Sequence, residues 1–272
     1  VKYATAEIDG ERVIGVVEGE RFDTLAFDGD MRAFIAAGAP DVRRARSCSL
    51  AGVRLCAPID NPSKVLAVGG NYAEHAAEAG LPVPQKPLIF AKLPSAIIGP
   101  GDAIRWEERV TTQVDWEAEL AVVIGRRARR VSEDEALGFV FGYTCANDVT
   151  ARDIQHSESQ WIRGKGLDTF CPLGPWIAAD VANPNDLRIA CTVNGERVQD
   201  SRTSNLVFNV QQLIAFMSRM FTLYPGDVIL TGTPPGVGAA RRPPRFLADG
   251  DEVRVEIEGI GALENRCQVE RS

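Results

Sequence analysis

The chain has 272 residues, 45% hydrophobic and 25% charged, with 30 basic against 37 acidic side chains and a formal net charge of −7. That composition belongs to a folded globular protein with room for one large domain, or a large and a small one, and it excludes disorder. The acidic excess excludes nucleic acid and anionic lipid as main partners, because phosphate binding needs a concentrated basic surface.

From Lys2 to about Leu25, short β-prone runs alternate with turn signals at Asp9-Gly10 and Glu18-Gly19, which predicts a small β-meander. The segment MRAFIAAGAP then reads as a helix closed by Gly38 and Pro40. Around Cys56-Ala-Pro-Ile-Asp-Asn-Pro, proline and turn formers accumulate, which places a boundary near residue 60. A small β-rich N-terminal domain over 1–60 and a larger domain over 61–272 are expected.

In the larger part β-type runs dominate: KVLAVGG, PLIFAK, VDWEAELAVVIG, GFVFGYTCAND, CTVNGERVQD, DVILTGT and DEVRVEIEGIG, with Asn194-Gly195 as a two-residue hairpin turn. Helical patterns are fewer: Tyr72 to Ala79, Ser132 to Leu137, and Asn209 to Met220. The last carries Val210, Leu213, Ile214, Met217 and Phe221 on one stripe. Strands with a few interspersed helices and no βαβ rhythm predict a mixed α/β architecture, mainly β and mainly antiparallel. Arg126, Arg127, Arg129 and Arg130 read as a solvated turn.

No run approaches the ~18 apolar residues of a membrane span, and the opening VKYATAEIDG lacks the order of a signal peptide, so no membrane partner and a cytoplasmic location are expected. Six scattered cysteines with no C-x-x-C read as small core residues. His75 and His156 are the two histidines of the sequence. That count rules out a three-histidine zinc site, and H-E-x-x-H, G-x-S-x-G, Walker A and a full G-x-G-x-x-G are absent.

Along Val114–Ile124 side chains alternate, so Asp115, Glu117 and Glu119 share a face that turns apolar at Ala121 and Val123. Glu117 and Glu119 then stand roughly 7 Å apart at Cα. Adjacent carboxylates entering a core repel and lose hydration, so a cation should sit between them. Asp148, at the polar end of Tyr143-Thr-Cys-Ala-Asn-Asp148, offers a third carboxylate. Three carboxylates without paired histidines or thiolates favour Mg²⁺ or Mn²⁺ over zinc, with Ca²⁺ a third candidate; the competing reading is an exposed strand face paired with arginines.

Asn71 reads as an N-cap with Glu74 completing a capping box, and His75 and Glu78 then share a face of a short helix. A carboxylate beside an imidazole fixes its tautomer and raises its basicity, as a general base requires; a solvated surface pair is the alternative. Lys165 is flanked by Gly164 and Gly166, which would let backbone approach a ligand. Arg152 and Gln155 follow Asp148 closely, and Thr231-Gly-Thr-Pro-Pro-Gly-Val-Gly238 offers hydroxyls and N–H groups.

Together these segments resemble the fumarylacetoacetate hydrolase family. The matching motifs are Asn71-Tyr-Ala-Glu-His-Ala-Ala-Glu78, Ile89-Phe-Ala-Lys92, Asp115-Trp-Glu-Ala-Glu-Leu-Ala-Val-Val-Ile-Gly125, Gly142 through Asp148 to Gln155, Arg163-Gly-Lys165 through Pro175, and Thr231 through Gly238. The resemblance implies a β-roll catalytic domain, with the first 60 residues similar to the small N-terminal domain of bacterial members. It further implies a homodimer, Mg²⁺ or Mn²⁺ at Glu117, Glu119 and Asp148, a lid dyad at His75 and Glu78, an active-site Lys165, and substrate contacts at Arg152, Gln155, Thr169 and Thr233. The leading expectation is hydrolysis of a C–C bond in a 2,4-dioxo acid of the acylpyruvate type. His75 and Glu78 would activate water, and the metal and Lys165 would stabilise a pyruvate enolate. Oxaloacetate decarboxylation and isomerisation of hydroxymuconate-type dienoates use the same site and are the alternatives. Specificity is expected from Leu81 to Gln85 and Ser157 to Trp161, with His156 a bystander.

Overall fold

A computed structural model describes residues 1–78, 80 and 82–270. The N-terminal runs form β1 (Lys2–Ile8), β2 (Glu11–Glu18) and β3 (Arg21–Leu25), paired in an antiparallel meander. At its first corner Asp9 and Gly10 take φ of 54° and 83°, the left-handed pair that a two-residue hairpin turn needs. Helix α1 (Met31–Ala36) begins at Asp30, whose carboxylate accepts the Ala33 N–H at 2.7 Å. Strands β4 (Arg44–Ser49) and β5 (Arg54–Cys56) follow. Neither stands among the predicted runs, because the residues of β4 are mostly exposed and show no apolar alternation.

The chain continues through β6 (Val65–Gly69), α2 (Ala73–Glu78), β7 (Leu88–Lys92), β8 (Ile97–Ile98), β9 (Ala103–Glu107), β10 (Val114–Asp115), β11 (Ala118–Ile124), α3 (Glu133–Ala136), β12 (Val140–Asn147) and β13 (Thr150–Ala151). Two short helices, α4 (Arg152–Ser157) and α5 (Ile162–Lys165), precede β14 (Cys171–Ala178). The remainder comprises the hairpin of β15 (Arg188–Val193) and β16 (Glu196–Arg202) about Asn194-Gly195, α6 (Val210–Met220), β17 (Val228–Leu230), β18 (Glu252–Ile257) and β19 (Gly261–Glu270).

A twelve-stranded sheet runs in the order β4-β3-β2-β1-β14-β12-β11-β17-β6-β7, with β5 on β1 and β8 on β14. A five-stranded sheet runs β16-β15-β18-β19-β9. Most pairs are antiparallel; β8–β14, β6–β17 and β9–β19 are parallel. The fold is thus mixed α/β and mainly β. The boundary expected near residue 60 falls between β5 and β6, and β1 pairs with β14 at Lys2↔Ala178 and Tyr3↔Ile177, so one sheet runs through both regions.

Strand β11 lies at the centre, and all seven of its residues are buried. Trp116, Leu120 and Val122 join Val253, Val255 and Leu263 of the smaller sheet and Leu213, Ile214 and Met217 of α6 in one apolar cluster. Ala121 packs on the opposite face with Val65, Leu173 and Val228. The alternation read from the sequence therefore holds, although the strand is buried on both sides.

Several local expectations need correction. The run Val114–Ile124 is not continuous, because side chains replace ladder partners at its middle. Asp115 accepts the Trp116 N–H at 2.8 Å, and the Asn147 side-chain oxygen accepts the Glu117 N–H at 2.9 Å. Phe221 leaves the α6 stripe: the helix ends at Met220, and Phe221 is extended and 40% exposed. The α6 start is as read, with a reciprocal capping box between Asn209 and Gln212. Helix α2 covers Ala73–Glu78, and Ala79 lies outside the described residues. Five of the six cysteines are buried and Cys48 is half-buried. Among the described residues no helix is long and apolar enough to cross a membrane.

Gly142 on β12 has no room for a side chain, since a Cβ there would sit 2.6 Å from the Ala178 carbonyl oxygen of β14. Gly142→Ala should therefore lower stability by about 2 kcal/mol, read from urea unfolding, through forced separation of β12 and β14.

Candidate active site

Three carboxylates converge where β11 meets the end of β12. The register places Ala118 opposite Asn147 and Glu119 opposite Ala146, and the Asp148 N–H bonds the Glu117 carbonyl at 2.9 Å. Glu117, in the gap between β10 and β11, Glu119 on β11 and Asp148 after β12 each bring a carboxylate oxygen within 4.8 Å of the others. All three are buried.

The protein answers this charge with its own cations. The Lys165 ammonium donates to Glu117 at 2.8 Å and Asp148 at 2.7 Å. Arg152 pairs with Glu117 at 2.7 Å and donates through Nε to Asp115 at 2.8 Å. Lys92 donates to Asp148 at 2.5 Å, to the Val149 carbonyl at 3.2 Å and to the Lys165 carbonyl. Burial acts upward on the Glu117 pKa, yet Lys165 and Arg152 hold it below the carboxylate range. Burial acts downward on Lys165 and Arg152, and the facing carboxylates more than reverse it, so both stay charged.

Glu119 is different. It accepts the Gly232 N–H at 2.6 Å, and burial together with the negative charges of Asp148 and Glu117 pushes its pKa well above the usual range. Four buried carboxylates (Asp115, Glu117, Glu119, Asp148) thus face three buried cations (Lys92, Arg152, Lys165), with Glu119 the uncompensated one. An all-oxygen trio in which Glu119 has no cationic partner of its own fits a hard divalent cation such as Mg²⁺ or Mn²⁺, and Ca²⁺ by the same donor chemistry. The alternative of an exposed strand face is excluded by burial.

Glu117 and Lys165 form the floor of a cavity of about 330 Å³. Arg152, Gln155, His75, Glu78 and Thr233 are in its walls, so nine of the ten residues expected at the site gather around one cavity or directly beneath it. His75 Nδ1 lies 3.2 Å from Glu78, whose carboxylate also accepts the Gly236 N–H at 3.0 and 3.1 Å. A carboxylate partner accepts a hydrogen bond from Nδ1–H, which keeps the proton on Nδ1 and leaves Nε2 with the lone pair of a base. Arg152 and Gln155 are bonded to each other at 3.0 Å on α4.

The tenth residue, Thr169, does not line the cavity: its hydroxyl bonds the Arg105 backbone N–H and carbonyl of β9 at 2.8 and 3.0 Å. The substrate contact that the resemblance implies at Thr169 is not seen at this cavity: the chain turns away there, with φ 69° at Thr169. The Asn71 cap is also corrected. Its side chain donates to the Thr231 and Phe208 carbonyls and accepts the Phe208 N–H, tying the start of α2 to the Thr231 loop. The glycines beside Lys165 serve packing rather than a ligand, since a Cβ on Gly164 would meet Gln155 N at 2.9 Å and one on Gly166 would meet the Ile162 carbonyl at 2.7 Å. His156 borders the cavity, as does Trp161; among the other proposed specificity residues, Leu81 lies outside the described ones and Pro82 to Gln85 and Ser157 to Gln160 do not line it.

Three buried residues escape sequence reasoning. Lys92 ends an otherwise apolar strand, a charge that signals a buried partner. Asp115 sits two positions before Glu117 on the same face, and it accepts the Gly238 and Ala239 N–H groups as well as Arg152. Gln199 carries no sequence signal, because its partners lie on distant segments.

The sequence model of the fumarylacetoacetate (FAA) hydrolase C-terminal domain matches residues 64–268. The mitochondrial oxaloacetate tautomerase of Xenopus laevis is 46% identical over 263 residues, covering 91% of this chain and 82% of that protein. Among solved structures, a fumarylacetoacetate hydrolase from the psychrophile Exiguobacterium antarcticum gives a TM-score of 0.90 at 40% identity over 99% of each chain. A 5-carboxymethyl-2-hydroxymuconate delta-isomerase from Mycobacterium smegmatis gives 0.86 at 40% identity, covering 99% of this chain and 100% of that one.

Because Glu119 is the uncompensated carboxylate, added Mg²⁺ or Mn²⁺ should raise the thermal midpoint of the wild-type protein. Glu119→Gln should abolish most of that rise and weaken Mn²⁺ binding at least about tenfold by calorimetry.

Proposed function

The chain belongs to the fumarylacetoacetate hydrolase family, and on that premise we propose that it is a divalent-metal-dependent enzyme of 2-oxo acid chemistry that interconverts the enol and keto forms of oxaloacetate or a closely related dicarboxylate. The observation that carries this reading is the His75–Glu78 pair standing on the same cavity whose floor is Glu117 and Lys165, with Glu119 and Asp148 beneath. Proton transfer between oxygen and carbon needs one base, one electron sink and no second nucleophile. The tautomerase and isomerase names of proteins 46% and 40% identical to this chain favour it over the hydrolysis expected from the sequence.

A divalent cation held by Glu117, Glu119 and Asp148 would supply Lewis acidity toward the substrate 2-oxygen. The chain's own groups do the rest. Arg152, Gln155 and Thr233 present donors to the substrate carboxylates. Lys165 keeps its proton beside Glu117 and Asp148, so it serves as a fixed cation near the developing negative oxygen rather than as a base. His75 Nε2 accepts the enol proton, Glu78 stabilises the imidazolium, and the same imidazole returns a proton to C3. Phe90, Trp161 and Val237 add apolar surface to the same cavity.

C–C bond hydrolysis of a 2,4-dioxo acid is the second reading. It is favoured by the same dyad, which can equally deprotonate water, and by the similarity to the Exiguobacterium hydrolase.

With Mg²⁺ or Mn²⁺, decay of the oxaloacetate enol absorbance should exceed the buffer rate, and His75→Ala should lower kcat/KM by about 10²-fold. Pyruvate release, measured alongside, separates decarboxylation from tautomerisation. Rapid cleavage of acetylpyruvate with oxaloacetate left at its buffer rate would transfer the assignment to hydrolysis, and inertness toward both would refute this substrate class.

A further inference from the structure

Thr233 lines the cavity, and its hydroxyl accepts from Gln199 of β16, a residue of the five-stranded sheet outside the family motifs named above. Gln199 and Thr233 are both buried. The orientation of the Gln199 amide is fixed by partners that cannot exchange roles. The Ala118 backbone N–H, an obligate donor between Glu117 and Glu119, reaches Gln199 Oε1 at 2.9 Å. The Pro234 carbonyl, an obligate acceptor, lies 2.8 Å from Gln199 Nε2. Nε2 is therefore the donor end, and at 2.8 Å from Thr233 Oγ1 it obliges that oxygen to accept.

A hydroxyl that accepts from one side must place its own proton elsewhere. Among the described residues the Thr233 hydroxyl has no protein acceptor, and Thr233 is a lining residue of the cavity. Gln199 is also well supported. It lies at an irregularity of the β15–β16 pairing, and the neighbouring Val198 carbonyl presses on Gly236 so closely that a Cβ there would stand 2.0 Å away.

We propose that Gln199 is a positioning residue that sets the polarity of the substrate-binding hydroxyl: by donating to Thr233 it turns the Thr233 proton into the cavity, where it binds a carboxylate oxygen of the 2-oxo acid. Its bond to Ala118 ties that hydroxyl to the start of β11, between Glu117 and Glu119, so hydroxyl and carboxylate trio keep one spacing. The ligand identity in this inference rests on the proposed function; the direction of the hydroxyl does not.

Gln199→Glu tests it, because a carboxylate keeps the Ala118 bond but accepts from Thr233 and draws the proton out of the cavity. With Mn²⁺ saturating for each form, the pyruvate Kd should rise about tenfold in Gln199→Glu and about tenfold in Thr233→Val, and no further in the double variant. With oxaloacetate as substrate, KM should rise with kcat little changed. Gln199→Met, which lacks a donor and offers only a weakly accepting sulfur, guards against a Glu variant that fails to fold and should give an intermediate rise in Kd. Unchanged Kd in folded Gln199→Glu or Gln199→Met, or single effects that multiply in the double variant, would overturn the inference. A thermal-unfolding cycle over Gln199 and Thr233 without ligand supports the contact if the two substitutions couple and refutes it if they add. Wild-type protein that binds no 2-oxo acid refutes the proposed function instead, and the hydroxyl direction then stands or falls on the unfolding cycle.

Discussion

The cost of burying three carboxylates side by side governs the organisation of this protein. Removing an ion from water costs several kcal/mol even after relaxation, and like charges within about 5 Å add to it. Lys165, Arg152 and Lys92 offset most of that cost from three separate segments. Each of these long side chains is buried, so each needs a fixed backbone behind it: α5 for Lys165, α4 for Arg152 and the end of β7 for Lys92. Glu119 is left without a cationic partner. The site combines rigid support with one unmet electrostatic demand, an arrangement that fits a divalent cation.

The loop from Thr231 to Ala239 joins this centre to the rest of the cavity. Its backbone N–H groups reach three acidic side chains: Gly232 to Glu119, Gly236 to Glu78, and Gly238 and Ala239 to Asp115. One segment thus touches the carboxylate trio, the histidine dyad and the residue that anchors Arg152. Glycine is required at Gly232 and Gly236, where φ is +101° and +107° and neighbouring atoms leave no room for a Cβ. The loop passes over β16, so the smaller sheet, which carries no residue of the trio or the dyad, still determines where the cavity wall stands.

Much of this was legible in the sequence, for identifiable reasons. Alternation across Val114–Ile124 put Glu117 and Glu119 on one face because strand periodicity is local, and i,i+3 spacing joined His75 to Glu78 because helical geometry is local too. Residue type at the polar end of a β-run also offered Asp148 as a third carboxylate, and the resemblance to a known family gave Lys165 its place in the site. The contact that the resemblance implies at Thr169 lies away from the cavity, where a left-handed residue redirects the chain, and local spacing misled at Asn71, which binds carbonyls more than a hundred residues away instead of capping α2. It also misplaced the glycines around Lys165, which admit neighbouring backbone rather than a ligand.

The sequence by itself determined the mainly β class, the central strand, the acidic trio and the single imidazole–carboxylate pair, since each is written in periodicity or in residue type at short spacing. Only the tertiary structure decided that the trio is buried with one charge uncompensated, that Lys92 and Asp115 belong to the same network, and that an amide from the second sheet orients the Thr233 hydroxyl. Those facts depend on which distant segments meet and on the direction of each donor and acceptor there. A linear pattern specifies which groups are available; the packed fold specifies which of them remain unsatisfied, and the chemistry resides in those.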